Sequence, residues 1–322
     1  VPAPDQPSAA ALEVAASVFA SLRSRLFGIA YRMLGSSAEA EDIVQEAWLR
    51  WQTCDRDAVR DPGAFLATTT TRLAINALRS ARARRETYIG PWLPEPVDTS
   101  ADPALGAETG EALELAILVL MEKLSPTERA AYVLREAFHY PYEQIAGIVQ
   151  ATEDNTRQLV SRARKRVADR RRGSVRPTEQ RRLLTAFLAA ARKGDFSALE
   201  ELFASEVVSY SDGGGAVRAA RHPVAGRTTV AKFLVAFAPT FWAGAELSWV
   251  EANGRPSVLI SRDGTAFVLV TISATDHGID QIMWVMNPAK LASISAAKST
   301  PTEPDLSGGP ARRPGPPLAQ DA

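Results

Sequence analysis

Residues 142–167, YEQIAGIVQATEDNTRQLVSRARKRV, constrain the chain most, because they read as two helices joined by a turn. Ile145, Ala146 and Val149 mark an apolar face on the first, and Leu159, Val160, Ala163 and Val167 mark one on the second, so both must pack inward. Gln150, Ala151, Thr152 and Glu153 form the turn, with Thr152 as N-cap and the acids Glu153 and Asp154 opening the second helix. Its outward stripe carries Arg157, Gln158, Ser161, Arg164 and Lys165. Arg and Gln hydrogen-bond guanine and adenine edges, and a helix fits the major groove. Arg162, Arg166 and the run from Arg170 to Arg172 are placed to meet phosphates. The layout is that of a DNA reader. Basic helix ends are also common as merely solvated faces, so the rest of the chain has to decide.

With 322 residues and 46% hydrophobic content, the chain is long enough for two or three domains with their own cores. Lys and Arg number 37, as do Asp and Glu, so no argument from net charge points to nucleic acid. The basic charge is segregated instead, into Arg79, Arg82, Arg84 and Arg85 and into the stretch from Arg162 to Arg172. A single cysteine, Cys54, excludes a disulfide framework or a cysteine-rich zinc site, and a reducing, cytoplasmic compartment is expected. No apolar run approaches the roughly 18 residues of a membrane span. The expectation is no membrane, no metal and no cofactor. Residues 1–11 and 298–322, rich in Pro, Ala and Gly, read as disordered ends.

Residues 12–86 read as a helical unit. Leu22, Leu26, Ile29, Ala30 and Met33 recur at helical spacing, and Gly35 with Ser36 and Ser37 stops one helix and caps the next. The helix predicted over 38–51 buries Ile43, Val44, Ala47, Trp48 and Trp51, while its other face carries Glu39, Asp42, Gln45, Glu46 and Leu49. That acidic stripe suits a basic partner helix or is simply solvated. A third helix, over 65–85, sets Arg72, Asn76 and Arg79 on one face and includes the β-branched run Thr68 to Thr71, which needs tertiary support. A second unit, 111–173, has an apolar first helix and a clean start signal at Ser125-Pro126-Thr127-Glu128 before the paired helices. Between the units, 87–110 is Pro-rich and centres on WLPEP, Trp92 to Pro96; a Trp and a Leu in so stiff a segment mark a docking peptide rather than a spacer.

AEAEDIVQEAWLRW followed by AFLATTTTRLAINALRSARARRE resembles region two of the extracytoplasmic-function bacterial sigma factors, and LSPTERAAYVLREAFHYPYEQIAGIVQATEDNTRQLVSRARKRV resembles their region four. The resemblance implies a promoter-specificity subunit, not an enzyme, whose partners are promoter DNA and the clamp helices and flap of core RNA polymerase. It implies that Asp42, Ile43, Gln45, Glu46 and Leu49 bind the clamp helices. It further implies that Arg72, Asn76, Arg79 and Arg82 engage and melt the −10 element, and that Arg157, Gln158, Ser161, Arg162, Arg164 and Lys165 read the −35 element. Many relatives carry Asn at the position of Arg72 and Asp at that of Asn76, so preference at −10 is expected to differ. The alternative is a conventional dimeric transcription regulator, which would have no use for the acidic stripe.

Residues 178–297 change character. Two helices come first, over 178–193 and 196–203, then a strand over 207–210, a third helix over 226–237 and four strands near 246–252, 256–262, 265–274 and 279–286 with tight turns at Asn253-Gly254 and Asp263-Gly264. Helices followed by an antiparallel meander imply an α+β unit. It resembles the SnoaL-like, nuclear-transport-factor-two-like cone. The combination of WLPEP, the Asp212-Gly213-Gly214-Gly215 turn and a closing Asn287-Pro-x-Lys-Leu291 resembles the sigma factors that carry such a fused domain. The resemblance makes Trp92, Leu93, Pro94, Glu95, Pro96, Asp212, Gly213, Gly214 and Gly215 a regulatory contact. That subgroup's turn usually ends in Lys, and Ala216 here leaves a salt bridge unmade. The fused domain is expected to tune activity by docking on the linker, a small apolar ligand in the cone is possible, and truncation after Gly173 would report the sign. A catalytic cone using Asp212, His222, Asp276 or His277 is the enzyme alternative, and it is disfavoured because both histidines sit in loop contexts.

Overall fold

The structure, a computed structural model, describes residues 9–99, 113–171, 175–292 and 294. Most of the stretches expected to be disordered fall outside these residues, as does Arg172, but helix α1 (Ala9–Leu34) starts inside the first of them. Gly35 ends α1 at a φ of 68°, and the Ser36 hydroxyl accepts from the Glu39 N–H to start α2 (Ser37–Thr53). Asp61 caps α3 (Pro62–Glu86) by accepting from Ala64 N at 3.0 Å, with Pro62 at the first position. The threonine run within α3 is held by its own hydroxyls: Thr68 and Thr71 each donate to the carbonyl four residues earlier, at 2.7 Å.

The second unit comprises α4 (Leu115–Met121), α5 (Pro126–Glu136), α6 (Tyr142–Val149) and α7 (Glu153–Arg171). Ser125 and Glu128 close a full capping box at the start of α5. The turn expected between α6 and α7 is there, with Gln150 in the left-handed region at a φ of 58° and its N–H donating to Ala146. Thr152 accepts from Asn155 N at 3.2 Å.

The third unit runs α8 (Pro177–Lys193), α9 (Phe196–Leu202), β1 (Phe203–Asp212), β2 (Val224–Ala225), α10 (Arg227–Phe241), β3 (Glu246–Ala252), β4 (Arg255–Arg262), β5 (Thr265–Thr275), β6 (Gly278–Val285) and α11 (Pro288–Leu291). Its six strands are ordered β2-β1-β6-β5-β4-β3. β3 to β6 form the expected antiparallel meander, but β1 lies parallel to β6, so the sheet is mixed. β1 is also far longer than the four residues expected. Local pattern could not show this, because the pairing joins segments about seventy residues apart. Gly278 permits it: a Cβ there would lie 2.6 Å from Leu202 O.

Alternation along the central strands covers both faces of the sheet. Val258, Ile260, Val268, Val270, Ile272, Ile282 and Trp284 pack toward α8, α9 and α10. Leu259, Leu269, Met283 and Val285 join the core of the two helical units instead. The sheet therefore serves as one wall of a core that the N-terminal helices and the linker complete.

Candidate functional site

The paired helices α6 and α7 present a surface of the expected kind. Thr156, Leu159, Val160, Ala163 and Val167 of α7 are buried, while Arg157, Gln158, Ser161, Arg162, Arg164 and Lys165 are all exposed. The arginines are not equally free. Glu128 takes both Arg162 and Arg166, at 3.2 and 3.0 Å, Glu136 takes Arg164 at 2.7 Å, and Arg157 pairs with Glu153 while lying over the Tyr142 ring. What stands open is Gln158, Ser161 and Lys165, at i, i+3 and i+7, a single stripe. The side chains of Arg170 and Arg171 lie outside the described residues.

On α2, Asp42, Gln45 and Leu49 are exposed, Leu49 at 55%, and Glu46 is half-buried beside Arg50 at 2.9 Å. Ile43 points into the core. On α3, Arg72, Asn76 and Arg79 share an exposed face, and Arg82 is half-buried and donates to Glu122 O at 3.2 Å. Arg72 is engaged across units, donating to Gly147 O and Ile148 O of α6 at 2.8 and 3.1 Å. The basic face of α3 is thus tied to the paired helices through the backbone of α6.

Buried arginines extend that tie. Arg129 of α5, fully buried, donates to Arg32 O at 2.8 Å and pairs with Glu122, which also takes Arg85 from α3. Burial pushes the Glu122 carboxyl up, but Arg129 and Arg85 outweigh it and hold the carboxyl below the usual value. Arg25 and Arg32 of α1 lie over Phe138, at 5.6 and 5.1 Å from the ring centre.

The linker is the centre of the assembly. Leu93, Pro94, Glu95, Pro96 and Val97 are all buried. Two cations lie over the Trp92 ring, Arg85 of α3 at 3.5 Å and Lys290 of α11 at 4.4 Å from its centre. Glu95 sits at the start of α2, accepting from Ser37 N at 2.8 Å and from the Ser36 and Ser37 hydroxyls at 3.1 and 2.6 Å. A carboxylate from the linker thus caps a helix of the first unit. On the other side, Asp212 is fully buried and accepts from Tyr88 Oη at 2.6 Å, Leu93 N at 2.8 Å and Lys290 Nζ at 2.6 Å. Lys290 also donates to Leu93 O, and Asn287 Nδ2 donates to Tyr88 Oη at 2.9 Å. Burial lowers the Lys290 ammonium despite Asp212; burial and then the Asp212 bond raise the Tyr88 phenol.

Ala216, where that subgroup's turn carries Lys, is exposed, and the salt bridge of Asp212 is to Lys290 of the Asn-Pro-x-Lys-Leu stretch on α11. The glycines answer to packing: a Cβ on Gly214, whose φ is 59°, would lie 2.3 Å from Asn287 Nδ2 and 2.9 Å from Tyr88 Oη.

Residues that sequence reasoning missed lock the far end of the linker. Asn253, read as a turn residue, is buried with a φ of 56°; its Oδ1 accepts from Val97 N at 3.1 Å, and its Nδ2 donates to Tyr31 Oη at 2.8 Å and Leu113 O at 2.9 Å. Tyr31 Oη donates to Glu95 O at 2.5 Å. Nothing in a hairpin signal foretells such contacts. Of the residues weighed for catalysis, His222, Asp276 and His277 are exposed, and Asp212 is fully occupied by the clasp. Among the described residues no group of His, Cys, Asp and Glu is placed to hold a metal, and no helix is long and apolar enough to cross a membrane.

Residues 18–84 match the family model for Sigma-70 region 2, and residues 114–167 match that for Sigma-70, region 4. The chain is 38% identical over 303 residues, 89% of its length and 96% of the relative's, to the ECF RNA polymerase sigma factor SigJ of Mycobacterium tuberculosis strain H37Rv. Over 184 residues, 56% of its length and 63% of the relative's, it is 35% identical to the probable ECF RNA polymerase sigma factor SigI of Mycobacterium tuberculosis strain CDC 1551. Among solved structures, the crystal structure of the Mycobacterium tuberculosis extracytoplasmic function sigma factor SigJ superposes with a TM-score of 0.70 at 31% identity, covering 87% of this chain and 99% of that one.

Proposed function

Because the chain belongs to the extracytoplasmic-function RNA polymerase sigma factors, non-catalytic subunits that bind core RNA polymerase and promoter DNA, we propose that the conformation described here is a closed form in which the C-terminal unit restrains promoter reading. The observation that carries the closed form is Arg72, a residue assigned to the −10 element, hydrogen-bonded to the α6 backbone, and the part played by the C-terminal unit rests on Asp212 and Asn253 holding the linker. Elements centred at −10 and −35 lie about 25 base pairs apart, roughly 85 Å of B-DNA at about 3.4 Å per base pair. Two helices in hydrogen-bond contact do not span that. Release of region 4 from region 2 must precede promoter engagement, and the linker clasp holds both.

In this reading Asp42, Gln45, Glu46 and Leu49 offer the polymerase clamp helices an acidic stripe with one exposed apolar side chain, and Ile43 supports it from the core. Arg72, Asn76, Arg79 and Arg82 serve the −10 element. Gln158, Ser161 and Lys165 read the −35 element, with Arg157, Arg162 and Arg164 exchanging acid partners for phosphates. The unit from α8 to α11 is a SnoaL-like cone, and the domains divide as 12–86, 87–110, 111–173 and 178–297.

The test is promoter-dependent transcription by bacterial core RNA polymerase. Glu46→Arg places a cation in the acidic stripe and should abolish core binding; retained binding would sink the clamp-helix assignment. Asp212→Asn, which loosens the clasp, should raise transcription if the C-terminal unit restrains, and a fall would mean that it assists. Truncation after Gly173 is a poorer probe, because it bares the core side chains that pack on Leu259, Leu269, Met283 and Val285, each worth about 1.5–3 kcal/mol of burial.

A further inference from the structure

A cavity of about 480 Å³ opens between α10, the end of β6 and the segment 218–220, within the range of about 300–1,000 Å³ typical of small-molecule sites. Its walls are aromatic: Phe233, Phe237, Phe241, Trp242 and Trp284. Phe233 and Phe237 lie 4.9 Å apart between ring centres, Phe241 and Trp242 4.8 Å, and Phe241 and Trp284 5.6 Å. The Trp284 ring is fixed, since its Nε1 donates to Ser209 Oγ at 3.1 Å. Phe237 is 52% exposed, although it belongs to a helix whose other face is well buried.

The one charged side chain on the lining is Arg218, and no carboxylate lines the cavity. Arg218 is exposed and has no hydrogen-bond or ion-pair partner among the described residues. An aromatic-walled apolar cavity with a single unopposed cation on its lining selects an apolar, ring-bearing body and a negative charge. Aromatic faces favour planar rings, and a guanidinium favours a carboxylate or sulfonate.

The cavity also borders the clasp. Ser211 on its lining precedes Asp212, and Met286 on its lining donates its N–H to Asp212 O at 2.8 Å and precedes Asn287, the donor to Tyr88. At the far rim, Ala220 O lies 3.6 Å from where a Cβ on Gly90 of the linker would stand. An occupant that moves the 218–220 segment or Met286 acts directly on groups that hold the linker.

We propose that this cavity binds a planar aromatic molecule carrying one anionic group, and that its occupancy alters the hold of the Asp212 clasp on the linker; the second part rests on the restraining role proposed above. The probe is 8-anilinonaphthalene-1-sulfonate, with the neutral N-phenyl-1-naphthylamine as its uncharged counterpart, titrated into the full chain by fluorescence and calorimetry. One sulfonate probe should bind per chain. Arg218→Ala should weaken the sulfonate about fivefold and leave the neutral amine unchanged, whereas Phe237→Ser should weaken both about tenfold. Both positions are exposed, so the fold should survive, with an unchanged thermal midpoint as the check. Sulfonate binding that is indifferent to both substitutions, or that follows no defined stoichiometry, overturns the site. Saturation with the sulfonate should change the hydrogen exchange of the Leu93 amide. An unchanged Leu93 with binding intact overturns the coupling and leaves the site standing, and the transcription of Asp212→Asn reads the restraining role independently of any ligand.

Discussion

Replacing Asp212 with Asn tests the clasp where its physics is most exposed. The carboxylate accepts from three donors at once, Tyr88 Oη, Leu93 N and Lys290 Nζ, and the Lys290 side chain is only 11% exposed. An amide keeps one acceptor oxygen and turns an NH2 toward groups that are themselves donors. Lys290 is then a nearly buried cation that has lost its salt-bridge carboxylate and keeps the Leu93 carbonyl. Removing one partner of a buried ion pair costs about 3–5 kcal/mol. Opening of the linker hydrates Lys290, so the cost falls on the closed form. Taking about 3 kcal/mol, the population of the open linker should rise about 10²-fold. Native-state hydrogen exchange reads this directly, because the Leu93 amide donates to Asp212 Oδ2 at 2.8 Å and the Glu95 amide donates to Gly35 O at 2.7 Å. Both should exchange about two orders of magnitude faster in the variant, while amides of β5 stay as they are. Unchanged exchange at Leu93 would refute the reasoning, since it would mean that the carboxylate does not hold the linker.

Tyr31→Phe should cost about 1–3 kcal/mol in chemical denaturation, because it leaves Glu95 O and Asn253 Nδ2 short of a partner in a buried site. Gln158→Ala should weaken binding to a −35 duplex by about 1–3 kcal/mol and relax its sequence preference, measured by fluorescence anisotropy. Arg164→Ala should have a smaller, salt-dependent effect, because Glu136 already holds that guanidinium. Acidification should loosen region 4 from region 2. The Glu122 carboxyl is held below its ordinary 4.5 by Arg129 and Arg85 against the opposing effect of burial, so its contribution is complete above that value and is lost as pH falls through the lower folded one. Thermal midpoints followed downward from pH 5 should therefore decline, and Glu122→Gln should flatten that part of the decline.

Much of this architecture is legible in the residues, and the parts that are not share a cause. The inward faces of α6 and α7, the capping box at Ser125, the ends of α1 and α3 and the β3–β6 meander are all set by residues within a few positions of one another. The parallel pairing of β1 with β6 has no local signature, and neither does Lys290 reaching Asp212 across 78 positions. Asn253 shows the limit most clearly. Its left-handed φ and its place before Gly254 read as a hairpin turn, which it is, but its side chain faces the linker 156 positions away. The candidate surfaces were legible as faces of single helices. Their state was not, because the acids that occupy Arg162, Arg164 and Arg166 lie on α5, and the carbonyls that occupy Arg72 lie on another unit.

The central claim is that α3 and α6 touch in the free chain and part when promoter is read. Spin labels or fluorophores at Ser80→Cys on α3 and Gln144→Cys on α6, both exposed positions, in a Cys54→Ser background, give that distance directly. The account predicts one short distance in the free chain and an increase of tens of ångströms when core RNA polymerase and promoter DNA are added, toward the roughly 85 Å set by the DNA at about 3.4 Å per base pair. A distance that stays short in an active promoter complex, or one that is already long in the free chain, would contradict it.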